Sequence, residues 1–385
     1  MILARKKQNE TLQEQVLFTI EKWIDEGVFP NGSRFPSERE LSKRLNVSQC
    51  TLQRAITVLE RRKKIIRLGP RRRIVISEKG GRISSMIKDT VVFITREIKT
   101  ELLNKKMGWL YHTTVAAQDY IRNKGNHILI FHPEQIDTSI QQLLDEKPLG
   151  FIFPEVHGYS PTEDLINKIL SFEIPIVAYG DEPVFGKIDR VVSDHEKGTY
   201  ELTKFLISLG RKRIIMLVDD RENKYYWQKA KRSGYIKAMQ EAGLDVLPEI
   251  YESLMVKISE KSDLKKIFDL KTSIYTGFIA EAVLSANPPD AIIVQADELI
   301  FAVAAACRRL GKDPYKDILI VGYDNYWEEH PDRLFEDYQP VATVDKLNWE
   351  IGEKMAELLY DRITGKLPAE PQVVKIPSKL IITRK

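Results

Sequence analysis

Gln49, Gln53 and Arg54, with Thr51 beside them, lie on one polar edge of the stretch from Ser37 to Arg62. Side chains of these types read nucleic acid. Glutamine makes paired hydrogen bonds with adenine N6 and N7, arginine does the same with guanine O6 and N7, and small hydroxyls bind phosphate oxygens. Such chemistry needs a helix to present it. Ser48 is placed to cap one, in which Leu52, Ala55, Ile56 and Leu59 recur at three- and four-residue steps. That apolar stripe leaves Gln49, Cys50, Gln53, Arg54, Thr57 and Arg61 on the outer face. A shorter helix precedes it. Ser37 and Glu40 have capping-box spacing, Leu41 and Leu45 give a buried edge, and Asn46 suits the left-handed end. Helix, tight turn and helix make a helix-turn-helix. A plain αα-hairpin with a solvated surface has the same periodicity, but the flanking sequence favours the DNA-reading form.

Leu12, Val16, Leu17, Ile20, Trp23 and Ile24 form another helical stripe, stopped at Gly27 and followed by the turn Pro30-Asn31-Gly32. After Arg62, residues 64–68 and 72–76 read as two strands around Gly69-Pro70. This arginine-rich hairpin reads as a wing, with Arg71, Arg72 and Arg73 expected on the DNA backbone or in the minor groove. Arg39, in the first turn of its helix, is expected on a phosphate. Charge agrees. Through Lys88 the chain has 20 Lys and Arg against 9 Asp and Glu, a formal +11; the remainder carries −7, for +4 overall. A basic end on an acidic body points to a small domain that faces a polyanion and a larger one with other work.

The segment FPNGSRFPSERELSKRLNVSQCTLQRAITVLERRKKI resembles the winged helix of GntR-family repressors over roughly residues 10–76. The matching features are the Pro-Asn-Gly turn, Pro36 to Leu41, and Val47-Ser48 with Leu52 and Ala55. The resemblance implies an operator of double-stranded DNA, with Ser37 and Ser48 also at the interface. Two departures stand out. The family commonly has Arg where this chain has Gln49 and Gln53, and a Gly-containing wing tip where it has Pro70 to Arg73.

Residues 77–89 are polar, with Gly-Gly and Ser-Ser, and read as a linker between a head at 1–76 and a body at 90–385. In the body, short apolar strands (91–94, 128–131, 150–153, 176–179, 213–218, 291–294, 318–321) alternate with helical segments near 108–124, 137–146 and 161–171. This pattern predicts two parallel sheets covered on both faces, with a ligand cleft at the strands' C-terminal ends. Val192–Gly198, Leu206–Ile214, Ser233-Gly234-Tyr235, Asp297-Glu298, Val321–Asp324 and Pro340–Val344 resemble, in order, the effector domain of LacI-type repressors. That domain shares its fold with periplasmic sugar-binding proteins. The combination is similar to that of arabinose-type repressors. It implies an α+β winged helix-turn-helix head on an α/β two-lobed periplasmic-binding-protein-like sensor, a carbohydrate effector and a homodimer. The effector-binding candidates are Trp109, Lys231, Asp297 and Asp324. Relatives usually carry Arg where this chain has Lys231, and often Asn where it has Ala296. Asp194 stands before a helical pattern and reads first as an N-cap.

Enzymatic constellations are not found: no Gly-rich phosphate loop, no G-x-S-x-G elbow and no H-E-x-x-H. The six histidines are dispersed, and neither Cys50 nor Cys307 has metal-ligand spacing with them. No catalytic residue, metal or cofactor is expected. The N-terminus has no signal-peptide core and no run reaches membrane-spanning length, so the expectation is a cytoplasmic protein without membrane contact. The rival reading is a cytosolic sugar-binding or sugar-modifying protein with an accessory DNA-binding head. The glutamines give a direct expectation: A·T pairs opposite Gln49 and Gln53. Gln53→Arg should shift preference to G·C at its position by about 1–3 kcal/mol per pair. Binding-site selection on both proteins reads the change, and G·C at both positions for the unsubstituted protein rejects it.

Overall fold

The structure, a computed structural model, describes residues 11–26, 28–29, 33–62, 64–69, 72–75, 83–95, 109–154, 161–218, 225–251 and 263–384. Gly27, the Pro30-Asn31-Gly32 turn, the wing tip Pro70-Arg71 and residues 77–82 of the expected linker lie outside them. The chain divides between Asp89 and Thr90 into two units.

In the first unit, α1 (Leu12–Asp25), α2 (Glu38–Leu45) and α3 (Gln49–Arg61) enclose one apolar core of Val16, Ile20, Ile24, Leu41, Leu45, Leu52, Ala55 and Leu59. The helix ends are set by local chemistry. Ser37 Oγ accepts the Glu40 amide proton, Ser48 Oγ accepts that of Thr51, and Asn46 closes α2 at φ 53°. Strands β1 (Ile65–Gly69) and β2 (Arg72–Val75) pair antiparallel, and Ile65 and Val75 complete the core. On its other edge β2 meets residues 33–35: the Phe35 amide donates to the Arg73 carbonyl and the Val75 amide to that of Ser33. Where the sequence reads as linker, Ile83–Lys88 form a short helix, α4.

The second unit contains two all-parallel sheets. The first has the order β13-β7-β6-β5-β3-β4, from β3 (Thr90–Ile94), β4 (His127–Phe131), β5 (Gly150–Phe153), β6 (Ile176–Tyr179), β7 (Asp189–Ser193) and β13 (Val373–Ile376). Alternation along β3 sorts its two faces. Val92 and Ile94 pack under α6 (Pro133–Glu146) and α7 (Glu163–Leu170), while Val91 and Phe93 pack under α5 (Trp109–Asn123) and α12 (Asn348–Ile363). The second sheet has the order β11-β10-β8-β9, from β8 (Ile214–Val218), β9 (Ile250–Tyr251), β10 (Ala291–Val294) and β11 (Leu319–Val321). Helices α8 (His195–Ser208) and α9 (Tyr226–Glu241) cover one of its faces, and α10 (Leu264–Val283) and α11 (Ile300–Arg309) the other.

The chain passes between the two sheet lobes three times: from β7 into α8, from β12 (Ala342–Asp345) into α12, and from β13 into β14 (Lys379–Ile382). β12 and β14 pair antiparallel, outside the two parallel sheets, and the pairing lets the last strand return to the second lobe. In the first lobe, Arg362 of α12 grips Asp189 at the start of β7 through two bonds of 2.7 and 2.6 Å.

Helices α8 and α9 approach so closely that a Cβ on Gly234 would lie 2.1 Å from the Glu196 carbonyl oxygen, whereas a Cβ on Gly277 in α10 meets nothing within 4 Å. The two glycines therefore predict opposite outcomes. Gly277→Ala should stabilise by about 0.5–1 kcal/mol through helix entropy. Gly234→Ala should destabilise by about 1–3 kcal/mol, because backbone must move. Paired thermal melts check this; equal shifts in one direction would contradict it.

Candidate nucleic-acid interface and effector cleft

In the first unit, the α3 face opposite the core is open. Gln49, Cys50, Gln53, Arg54, Thr57 and Arg61 are exposed, and Thr51 is half-buried with its hydroxyl 2.9 Å from that of Ser48. Ser37 and Ser48 are exposed but use their side-chain oxygens as caps. Arg39 is exposed in the first turn of α2, whose amide end favours phosphate. Arg71 lies outside the described residues; Arg72 falls in β2 with its side chain undescribed. Arg73, expected on the DNA backbone, has its guanidinium bonded to Glu60 and Glu38 of its own domain.

In the second unit, side chains from all three lobe crossings meet. His195 stands at the first, Lys346 and Asn348 at the second, and Ser378 at the third; all four are buried. Tyr323, just beyond β11, joins them: its hydroxyl is 3.3 Å from His195 Nδ1 and 3.4 Å from Ser378 Oγ. Asp324 follows at φ 94°, its amide donating to the Val344 carbonyl, and its Oδ1 lies 2.8 Å from Lys346 Nζ. Lys231, on α9, donates to the Gln295 carbonyl at 2.8 Å and sits 3.7 Å above the Tyr323 ring, with Trp227 at 5.1 Å. Across the cleft, the Tyr226 amide donates to Glu182 and its hydroxyl is 3.4 Å from His195 Nε2; Tyr179 and Ser193 share a hydrogen bond.

The electrostatics follow from dryness. Burial, then the neighbouring Lys231 and Lys346, hold the His195 pKa well below its ordinary value, so the ring is neutral. Burial pushes Tyr226 and Tyr323 well above theirs, so both hydroxyls keep their protons. Burial is the largest influence on Lys346 and opposes its charge, but Asp324, Tyr179 and Asp345 together outweigh it and leave the pKa raised.

Of the effector-binding candidates, Lys231 stands over the Tyr323 ring and Asp324 is the next residue along the chain from that tyrosine. Asp297 lies against the same loop, its amide donating to the Tyr323 carbonyl at 2.8 Å. It is fully buried behind the rim; its Oδ1 accepts from Thr343 Oγ1, and its Oδ2 from the Tyr326 and Trp327 amides. These bonds tie the 3-10 turn at Asp297–Leu299 to the loop that follows β11. Trp109 opens α5, with its side chain undescribed. Asp194 caps α8 as expected, accepting from the Lys197 amide. Sequence reasoning did not single out Lys346, Ser378, Tyr179, Ser193 or Glu182. Tyr179 and Ser193 end strands β6 and β7, and only the sheet order shows that those ends lie side by side at one edge of the sheet.

An open reading helix with a paired wing, and a two-lobed domain with polar groups converging at strand ends, define a DNA-binding transcriptional regulator with an effector domain. Comparison with known proteins agrees. Residues 12–76 match the bacterial regulatory proteins of the gntR family, and residues 203–385 match the periplasmic binding protein-like domain. The chain therefore joins a GntR-type head to a periplasmic-binding-protein-like body. It is similar to the HTH-type transcriptional repressor PurR of Glaesserella parasuis, 23% identical over 76% of this chain and 81% of that protein. It is also similar to the HTH-type transcriptional regulator DegA of Bacillus subtilis, 28% identical over 66% of this chain and 68% of that one. Among solved structures, the CelR–cellobiose complex superimposes with a TM-score of 0.59 at 19% identity, covering 89% of this chain and 93% of that one. A LacI family regulator from Enterococcus faecium with bound ribose gives 0.56 at 20%, covering 77% and 98%.

Burial raises the Asp297 pKa to about 8. An acid whose folded pKa lies above its unfolded value of about 4 gives stability that is complete below the unfolded pKa and lost as pH rises towards the folded one. Thermal stability of the wild type relative to Asp297→Asn should therefore fall between about pH 4 and pH 8. Parallel melting curves for the two proteins across that range would show that Asp297 stays ionised.

Proposed function

We propose that the chain represses transcription from an operator and is released when a small carbohydrate binds between the two lobes of its second unit. It works as a homodimer in the cytoplasm and carries out no catalysis. The observation that carries this reading is the pairing of Asp324 with Lys346, beside Lys231 and Trp227, at strand ends where the lobe crossings meet. A sugar hydroxyl both donates and accepts. A carboxylate offers strong acceptors, two ammonium groups offer donors, and an indole face suits the C–H side of a sugar ring. The cellobiose and ribose in the two structurally similar regulators support the same ligand class. The PurR and DegA relatives support control of transcription.

The mechanism is a population shift. A ligand that bonds groups of both lobes favours one lobe arrangement, and a dimer passes that shift to the spacing of its heads. On the DNA side, Gln49, Thr51, Gln53 and Arg54 read base edges, while Arg39, Ser37, Ser48, Arg71 and Arg72 hold the backbone. Asp297 supports the cleft from behind.

The test is effector release. A thermal-shift panel of pentoses, hexoses, disaccharides and their phosphates identifies the ligand, because binding to the folded state raises stability by mass action. Asp324→Ala and the milder Asp324→Asn should then weaken that ligand by about 10–100-fold, the worth of a charge-assisted hydrogen bond, and leave operator affinity unchanged. Release like that of the wild type would remove Asp324 from the site.

A further inference from the structure

The sequence offers three consecutive wing arginines as equivalent, but the fold sets Arg73 apart. Side chains on a strand alternate between faces, so Arg73 shares a face with Val75, which is fully buried in the head core. Arg73 is thereby aimed back at the helices. Its Nε lies 2.5 Å from Glu60 Oε1, near the end of α3, and its Nη1 lies 3.0 Å from Glu38 Oε1, in the first turn of α2. Only 17% of its side chain is exposed. One planar fork thus ties strand β2 to both helices of the helix-turn-helix, and its backbone is fixed in turn by the Phe35 amide on its carbonyl.

We propose that Arg73 is a positioning residue for operator reading: it fixes the wing against the recognition helix and makes no phosphate contact. The outer face of α3 reads bases only if the wing grips the flanking backbone at a set distance. Glu38 and Glu60 serve the same end. They are acidic groups kept within a basic head because they hold the arginine that holds the wing.

Two models of Arg73 diverge in measurement. Full-length Arg73→Ala, Arg73→Lys and the double variant Glu38→Gln/Glu60→Gln are titrated over a salt series. One DNA is the operator selected by the wild type, the other a random sequence. A positioning role predicts that all three lose about tenfold in preference for operator over random DNA, with the salt slope of Arg73→Ala unchanged. Lysine fails here because it carries charge without the fork. The double variant fails although it makes the head more basic. A phosphate contact predicts the opposite: a slope lower by about 0.9 for Arg73→Ala on both DNAs, and rescue by lysine. That result overturns the proposal, as does wild-type preference in the double variant. Should Arg73→Ala unfold the head, as read by circular dichroism, the single variant Glu60→Gln decides by the same criterion: retained preference overturns the proposal and lost preference supports it.

Discussion

A carboxylate and an ammonium group, Asp324 and Lys346, lie 2.8 Å apart with almost no contact with water. Taking two such charges out of water costs several kcal/mol per ion, and their mutual attraction offsets this only with good geometry. The surroundings can be understood from that constraint. The pair sits where strands leave one lobe for the other, so its burial depends on the lobes staying together. The neutral imidazole of His195 between Lys231 and Lys346 fits the same logic, since a third positive charge there would leave the cluster uncompensated.

The head solves a different problem. Its core is small, and its reading surface is one helical face whose aim depends on everything behind it. Burial of Leu52, Ala55, Ile56 and Leu59 fixes the rotation of α3, and capping by Ser48 fixes where the helix begins. Arg44 lies 4.5 Å above the Trp23 ring, so that part of the basic surface is packed and not merely solvated. Positive charge in such a domain therefore divides between groups that hold the fold together and groups left for the polyanion.

The elements were largely legible from the sequence, because two strong signals were present. The helical stripes of α1 and α3 and the short apolar runs of β3, β5, β6, β8 and β10 each match one period clearly. The short strand β9 and the antiparallel return of β14 were not legible, since residues 250–251 and 379–382 carry no distinctive alternation. The site was read only in part. Asp324 and Lys231 were singled out because one ends a recognised segment and the other stands just before one. Asp297 looked equivalent to Asp324, and only the fold shows its carboxyl bonded to Thr343 and to the Tyr326 and Trp327 amides. Arg73 was indistinguishable from its neighbours until strand register chose its face. Lys346 and Ser378 are unremarkable in sequence, and become neighbours of Tyr323 only through the three lobe crossings.

The first lobe takes its helix α12 and edge strand β13 from residues 348–376, close to the end of the chain. A ribosome makes the other five strands of that sheet first, and until Arg362 reaches Asp189 and β13 pairs with β7, one edge and half of one face stay uncovered. The head has no such debt, since every part of its core precedes Thr90. Synthesis thus yields a finished DNA-reading domain well before the lobe that takes part in its control can close. Any chain stopped short of residue 348 leaves that sheet open while the reading head is whole. For this architecture, a late nonsense mutation is a different genetic event from an early one.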